Sequence, residues 1–374
     1  MISKDITPVR ICCNCLKYAG LFSQEGRPWS ILLSAYHLIM LNAVGLGAIK
    51  VILWGDGNLQ ELIQAMSATV IYVHTNAKAI NFLSYEAEIR KLFESLEQLR
   101  TELLEDIDNQ HHIIDAESFL FKLNTGYALL MMSFPAVSLG INIFTDYITQ
   151  SERPHLIFQV WIPWNMKEFW PYLGGMLFTT VLSITICVFY TSYIIFLFTI
   201  TFELSGFIKV LQAKLETNGI IDSNTYRHHL AIMQLLQTCN EIHSGQLYFE
   251  ILVSSLQPCG FGYTLIKAAR RQDPVVFDLL YKSFLAVSAP FIICSCGQEI
   301  NNQMEMLHNS SYRGPWYEKS PKLRKDLLTV KILNIKPITL SYRRLVTFNN
   351  ACFATVAQGI YSYLAMINNL ENSE

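Results

Sequence analysis

Charge is scarce in this chain. Asp, Glu, Lys and Arg make up 16% of its 374 residues, while 51% are hydrophobic; soluble domains usually carry about 25% charge. That balance excludes a string of soluble domains and points to a polytopic membrane protein. The formal net charge of -2 leaves no basic field for nucleic acid. Nine cysteines are present, but Cys12, Cys13 and Cys15 are crowded together, which is no paired extracellular framework and lacks the spacing of a zinc site. His111-His112 and His228-His229 put neighbouring rings on different faces of a helix, so no metal is expected from them. No Gly-rich phosphate loop, nucleophile elbow or catalytic carboxylate pair occurs, so neither an enzyme nor a cofactor is expected. The opening MISKDITPVR has no apolar core, and no cleaved signal peptide is expected. No paired inverted halves are visible, which counts against a secondary transporter.

What the chain does have is long apolar runs. Seven spans are expected, at about residues 30–54, 62–85, 123–148, 172–202, 245–266, 274–297 and 345–367. They form one all-α, seven-helix membrane domain over residues 1–374. The second span holds His74, Asn76, Lys78 and Asn81, groups that lipid rejects, so neighbouring helices must cover it and Lys78 requires a partner. Residues 86–122 read as an amphipathic, water-facing helix, with Ile89, Leu92, Phe93, Leu96 and Leu99 at helical spacing. Pro135 is expected to interrupt the third span, and Gln257-Pro258-Cys259-Gly260 to kink the fifth. The loop between spans three and four carries Trp161, Pro163, Trp164, Trp170 and Pro171, suited to the headgroup layer.

Charge bias orients the spans. With the N-terminus inside, twenty Lys and Arg fall on inner segments, and six on outer ones when Lys50 is included. The N-terminus is therefore expected inside and the C-terminus outside. The sequon Asn309-Ser310-Ser311 then lies inside, where it stays unglycosylated.

The last span is not apolar all round. Cys352, Thr355, Gln358, Ser362, Ala365 or Met366, and Asn369 recur at steps of three and four, stacking small and polar groups on one face. Two readings stay open: packing against another helix through small residues, and a pore wall facing water.

The stretch YRGPWYEKSPKLRKDLLTVKILNIKP at 312–337, FATVAQGIYSYLAMI at 353–367 and CSCGQEINNQ at 294–303 resemble the C-terminal signature of the insect odorant receptors. The sister gustatory receptors share the fold but usually carry Thr-Tyr where Ser362-Tyr363 stands here. The resemblance implies the odorant-binding subunit of a ligand-gated, non-selective cation channel, a heterotetramer with the odorant receptor co-receptor. It implies a multi-pass protein of the plasma membrane, embedded in membrane lipids, in a sensory neuron dendrite. The ligand is a small volatile organic molecule, and a cytoplasmic anchor is built from about residues 204–240 and 299–344. Carried over by depth, the family's outer-half pocket falls on Val70, Ile71 and His74; Met132, Ala136 and Val137; Met176, Thr180 and Ile184; and Tyr281, Phe284 and Ser288. The pore falls on Gln358, Ser362, Met366 at the constriction, Asn369 in the mouth and Leu370 beside it.

Overall fold

A computed structural model describes residues 7–22, 28–54, 59–149, 155–158, 160–164, 168–218, 223–333 and 338–372. Among these the chain is mostly helical, with one short hairpin, a single 3-10 turn at Trp316–Glu318 and connecting loops. In chain order the elements are α1 (Pro8–Tyr18), α2 (Pro28–Trp54), α3 (Leu59–Ser84), α4 (Glu86–Leu104), α5 (His111–Thr149), α6 (Phe169–Asn218), α7 (Ser223–Val253), α8 (Leu256–Arg270), α9 (Val276–Arg313), α10 (Pro321–Leu333), β1 (Ser341–Tyr342), β2 (Val346–Thr347) and α11 (Asn350–Asn372).

The 50-residue α6 is the post around which the others pack. At 1.5 Å per residue it spans about 75 Å, far more than the roughly 30 Å hydrocarbon layer. Its middle is apolar on every side, and Tyr193, Phe196, Leu204, Phe207, Ile208 and Leu211 are all buried; a helix of that kind belongs at the centre of a bundle. The helices α5 and α9 lie along it. The amphipathic α1 is fixed at its start, where the Thr7 hydroxyl accepts from the Arg10 N–H at 3.2 Å. It buries Val9, Cys12 and Leu16, and the Ser192 hydroxyl of α6 donates to its Cys15 carbonyl at 3.0 Å.

Helix breaks differ from the sequence expectation in four places, the first being the 86–122 stretch, which breaks between Leu104 and His111 so that its second half starts α5. Pro135 does not interrupt α5, which runs unbroken from His111 to Thr149; proline removes one backbone hydrogen bond, and a helix packed on its neighbours tolerates the loss. The break in the fifth span falls at Ser254-Ser255, before Pro258. Pro258 then sits in the first turn of α8, where its missing N–H has no intrahelical partner to lose. The final helix starts at Asn350 because residues 341–347 form the hairpin. Asn349 caps it, its Oδ1 accepting the Cys352 N–H at 2.9 Å, as asparagine does at helix starts.

The hairpin turns through Arg343 and Arg344, whose φ values are 47° and 58°. Two side-chain-bearing residues in that left-handed region cost about 1–2 kcal/mol each. Contacts to α7 offset the cost. Asn240 donates to the Thr339 carbonyl at 2.7 Å and accepts from the Ser341 N–H at 3.1 Å, while Tyr342 stacks on Tyr248 with centroids 4.4 Å apart. Behind the hairpin, Gly297 of α9 meets the backbone of buried Phe348; a Cβ there would lie 1.9 Å from the Phe348 carbonyl oxygen.

Gly297→Ala should therefore force α9 and the hairpin apart and sharply reduce surface expression and melting temperature. Gly140→Ala, where a Cβ meets nothing within 4 Å, should be neutral or gain up to about 1 kcal/mol from helix propensity. Equal behaviour of the two in a detergent melt would contradict this account of the junction.

Candidate ligand cavity and the face of the last helix

The partner that Lys78 requires is Glu250. Their side chains are 0% and 1% exposed, and Nζ donates to Oε1 at 2.8 Å. The ammonium also lies over the Tyr190 ring at 3.8 Å and the Tyr193 ring at 4.5 Å, contacts that replace part of its lost hydration. One helical turn inward, Asn81 donates to the Ile242 carbonyl at 2.9 Å. These bonds lock α3 to α7.

A second ion pair stands on α9. Asp278 and Lys282, at i and i+4, meet at 2.5 Å and both are buried. The Ser138 hydroxyl of α5 donates to Asp278. Lys282 also donates to the Ile157 carbonyl at 2.6 Å, drawing the outer loop down onto the bundle. The loop follows: Leu156, Ile157, Phe158, Val160 and Ile162 are buried, and the Trp161 N–H donates to the Gly47 carbonyl at 3.0 Å under the Lys50 ammonium, 3.2 Å from the ring centroid. Its start is tied by Asp146, which accepts the His155 ring nitrogen at 2.6 Å and the Tyr172 hydroxyl at 3.0 Å. The loop is a lid over this end of the bundle.

Beneath the lid lies a pocket with about 690 Å³ of space between atoms, its open mouth included. Its wall comes from Ile71 and His74 of α3, Tyr127, Met131 and Phe134 of α5, Phe158 of the lid, Ile186, Cys187 and Tyr190 of α6, and Glu250 of α7. Ser254, Gln257 and Phe261 at the α7–α8 break, and Lys282, Leu285, Ala286, Ala289 and Pro290 of α9, complete it. The other side of α8 touches the last helix. The Cys259 thiol donates to the Ile360 carbonyl at 3.6 Å, and Leu364 methyls lie 3.1 Å from where a Cβ on Gly262 would stand.

Those contacts define the inner side of α11, where Val356 is buried. Thr355, Gln358, Ser362, Met366 and Asn369 point away from the bundle and are exposed. The chain's own helices therefore do not cover the polar stripe. Cys352 is half-buried against the core, and the side chain of Leu370 lies outside the described residues.

A sequence model of the family described as 7tm Odorant receptor matches residues 58–361. The chain belongs to the odorant receptor family. Among Drosophila melanogaster odorant receptors it is similar to 94a, 23% identical over 331 residues covering 85% of this chain and 83% of that one. It is also similar to 47a, 23% identical over 318 residues covering 80% of each. The fold matches the olfactory receptor OR5 of Machilis hrabei in complex with eugenol, at a TM-score of 0.73 and 15% identity over 97% of both chains. As an odorant receptor the chain is a multi-pass membrane protein and not an enzyme. By length and composition alone, four described helices could cross a membrane: Leu32–Trp54, His111–Thr149, Phe169–Thr217 and Val276–Ser310.

Of the twelve pocket positions expected from this odorant receptor's sequence, Ile71 and His74 line the cavity. Tyr281 stands behind its wall, donating to the Leu130 carbonyl at 2.7 Å and packing edge-on to Phe134 at 5.6 Å. Val70 is half-buried on the flank of α3, and Met176 is buried elsewhere. Thr180 and Ser288 spend their hydroxyls on the carbonyls of Met176 and Leu285, each at 2.7 Å. Met132, Ala136, Val137, Ile184 and Phe284 face outward from the chain. Depth was carried over, but each residue turns a helix by 100°, so Met131 and Phe134 face in while Met132 and Ala136 face out. The residues missed are chiefly Glu250 and Lys282. The signal was available: Lys78 and Glu250 are each the lone charge in their span, and intramembrane charges face inward and pair.

Removing one member of the buried pair, as in Lys78→Ala or Glu250→Ala, should cost about 3–5 kcal/mol because the other charge is left alone. Lys78→Leu with Glu250→Leu should recover most of it, measured as surface expression and thermal stability; additive losses would contradict the pairing.

The lid gives a pH dependence. The hydrogen bond to Asp146 holds the His155 imidazole above its ordinary range despite partial burial. A raised folded-state value contributes stability that is complete below the unfolded value of about 6.5 and is lost as pH rises through the folded one. The melting-temperature difference between the native protein and His155→Gln should thus be largest in acid and shrink above neutrality. A difference independent of pH would contradict it.

Proposed function

We propose that this chain is the odorant-binding subunit of a ligand-gated, non-selective cation channel, assembled as a heterotetramer with the odorant receptor co-receptor in the plasma membrane of a sensory neuron. The observation that carries the reading is α8. On one side its Phe261 and Gln257 line the cavity, and on the other its Cys259 and Gly262 contact α11. A ligand that fills the cavity pushes or draws α8 and so moves the last helix. Binding favours whichever position of α8 leaves room for the ligand, and only that differential affinity shifts the channel's equilibrium.

The outward polar face of α11 supports its role as a pore wall. Gln358, Ser362 and Asn369 are poorly placed against lipid, and their own bundle leaves them uncovered. Around a shared axis they face water, with Met366, 52% exposed, as the apolar constriction. The ligand is a small volatile compound, consistent with a solved relative being bound to eugenol. The basic stretch around α10 and the inner ends of α6 and α7 form the anchor between subunits.

An apolar ring blocks ions by dewetting, so a polar group there lowers the barrier. At equal surface expression with the co-receptor, Met366→Ser should raise ligand-free current or shift the reversal potential. Leu364→Ser, on the side facing Gly262, should loosen packing without adding leak. Unchanged basal current, reversal potential and block in Met366→Ser would return the stripe to a packing role.

A further inference from the structure

The polar groups of the cavity are not all satisfied. Glu250 Oε2 and His74 Nε2 are buried without a hydrogen-bond partner, the Tyr190 hydroxyl lies beside the Thr75 side chain, and Glu250, His74 and Tyr190 all line the cavity. Of the other polar groups there, the Ser254 hydroxyl donates to the Ile251 carbonyl at 2.8 Å, Lys282 is held by Asp278 and the Ile157 carbonyl, and the Gln257 amide lies in the wall at the α7–α8 break. Buried polar atoms nearly always find partners, so this set describes what a ligand must bring.

Charge narrows the choice. Lys78 balances Glu250, and Lys282 balances Asp278, so the cavity offers no net charge to an ion. An ammonium or carboxylate would lose its hydration there without a free counterion. Hydrogen bonding narrows it further. A carboxylate oxygen only accepts, while an imidazole N–H or a tyrosine hydroxyl donates. The complement is an uncharged group that both donates and accepts. A hydroxyl does this with one atom; an ether, ester or ketone has no hydrogen for Glu250. The remaining wall, with Phe134, Phe158 and Phe261, suits an apolar body.

Resting on the reading of this cavity as the ligand site, we infer that its ligands are uncharged alcohols or phenols, the hydroxyl donating to Glu250 Oε2 and accepting from His74 or Tyr190. The matching test uses sets built on shared aliphatic and aromatic skeletons of about six to ten heavy atoms. Each set holds a hydroxyl compound, its methyl ether, the ketone where one exists, and the amine. Currents are recorded from the native receptor with the co-receptor. On every active skeleton the hydroxyl compound should be at least about tenfold more potent than its ether or amine, the effect of leaving a buried acceptor unpaired. In Lys78→Leu with Glu250→Leu, which removes both charges together, that gap should largely close.

Ether or ketone matching the hydroxyl compound in the native receptor, or amine exceeding it, overturns the inference while the receptor reading stands. So does a gap that persists undiminished in the double variant at the surface. Should that variant fail to reach the surface, the native potency ratios decide alone. Silence to every set and to a wider panel of volatiles, from a receptor present at the surface, overturns both readings.

Discussion

The pair between Lys78 and Glu250 is the contact on which the arrangement depends. Each is a charge in a run of residues that otherwise carries none, and neither could remain inside a bilayer alone. Their pairing at 2.8 Å, with two tyrosine rings over the ammonium, sets the register of α3 against α7 and turns Ile71, His74 and Glu250 toward a common space. Desolvating the two ions costs several kcal/mol each before pairing. A buried pair is thus weak evidence for stability and better evidence for position. It selects one rotation for each helix.

The same constraint explains the outer end. The Asp278–Lys282 pair would face lipid if α9 stood alone; α5 supplies the Ser138 hydroxyl and the loop supplies the Ile157 carbonyl. Satisfying one cation thereby brings the loop, and Phe158 with it, onto the cavity wall. Between this cavity and the last helix stands α8, short, separated from α7 by a break at Ser254-Ser255, and in contact with both sides. A long continuous helix there would resist small displacement. Under the proposed function this fifteen-residue helix, with a break at its start, is the element that couples the two sites.

The helices themselves were legible because apolar runs of membrane length admit few other structures. The amphipathic face of α4 was legible too: Ile89, Leu92, Leu96 and Leu99 are buried as their spacing demanded. The polar stripe of α11 could be seen as a stripe, but not whether a neighbouring helix covered it. Two kinds of feature were hidden. The start of α11 depends on a hairpin with arginines in left-handed conformations, which carries no glycine or asparagine signature at the turn. The rotation of α5, α6 and α9 about their axes depends on contacts distant in sequence, so depth alone chose Met132 and Phe284, which face outward, over Met131 and Leu285. Treating Lys78 and Glu250 as charges that must find one another would have fixed the rotations of α3 and α7, and an inward-facing Asp278 and Lys282 that of α9.

The central claim is that the uncovered face of α11 meets water as the ligand opens the channel. Cysteine accessibility tests it most directly. With Cys352 replaced by alanine, single cysteines are placed at Thr355, Gln358, Ser362 and Met366, and at Val356, Ile360 and Leu364 for comparison, in receptors co-expressed with the co-receptor. A charged, membrane-impermeant thiol reagent applied with ligand should alter current at the first four positions and leave the other three unchanged. Modification without that helical periodicity, or none at Gln358 and Ser362 in receptors that respond to ligand, would contradict the account.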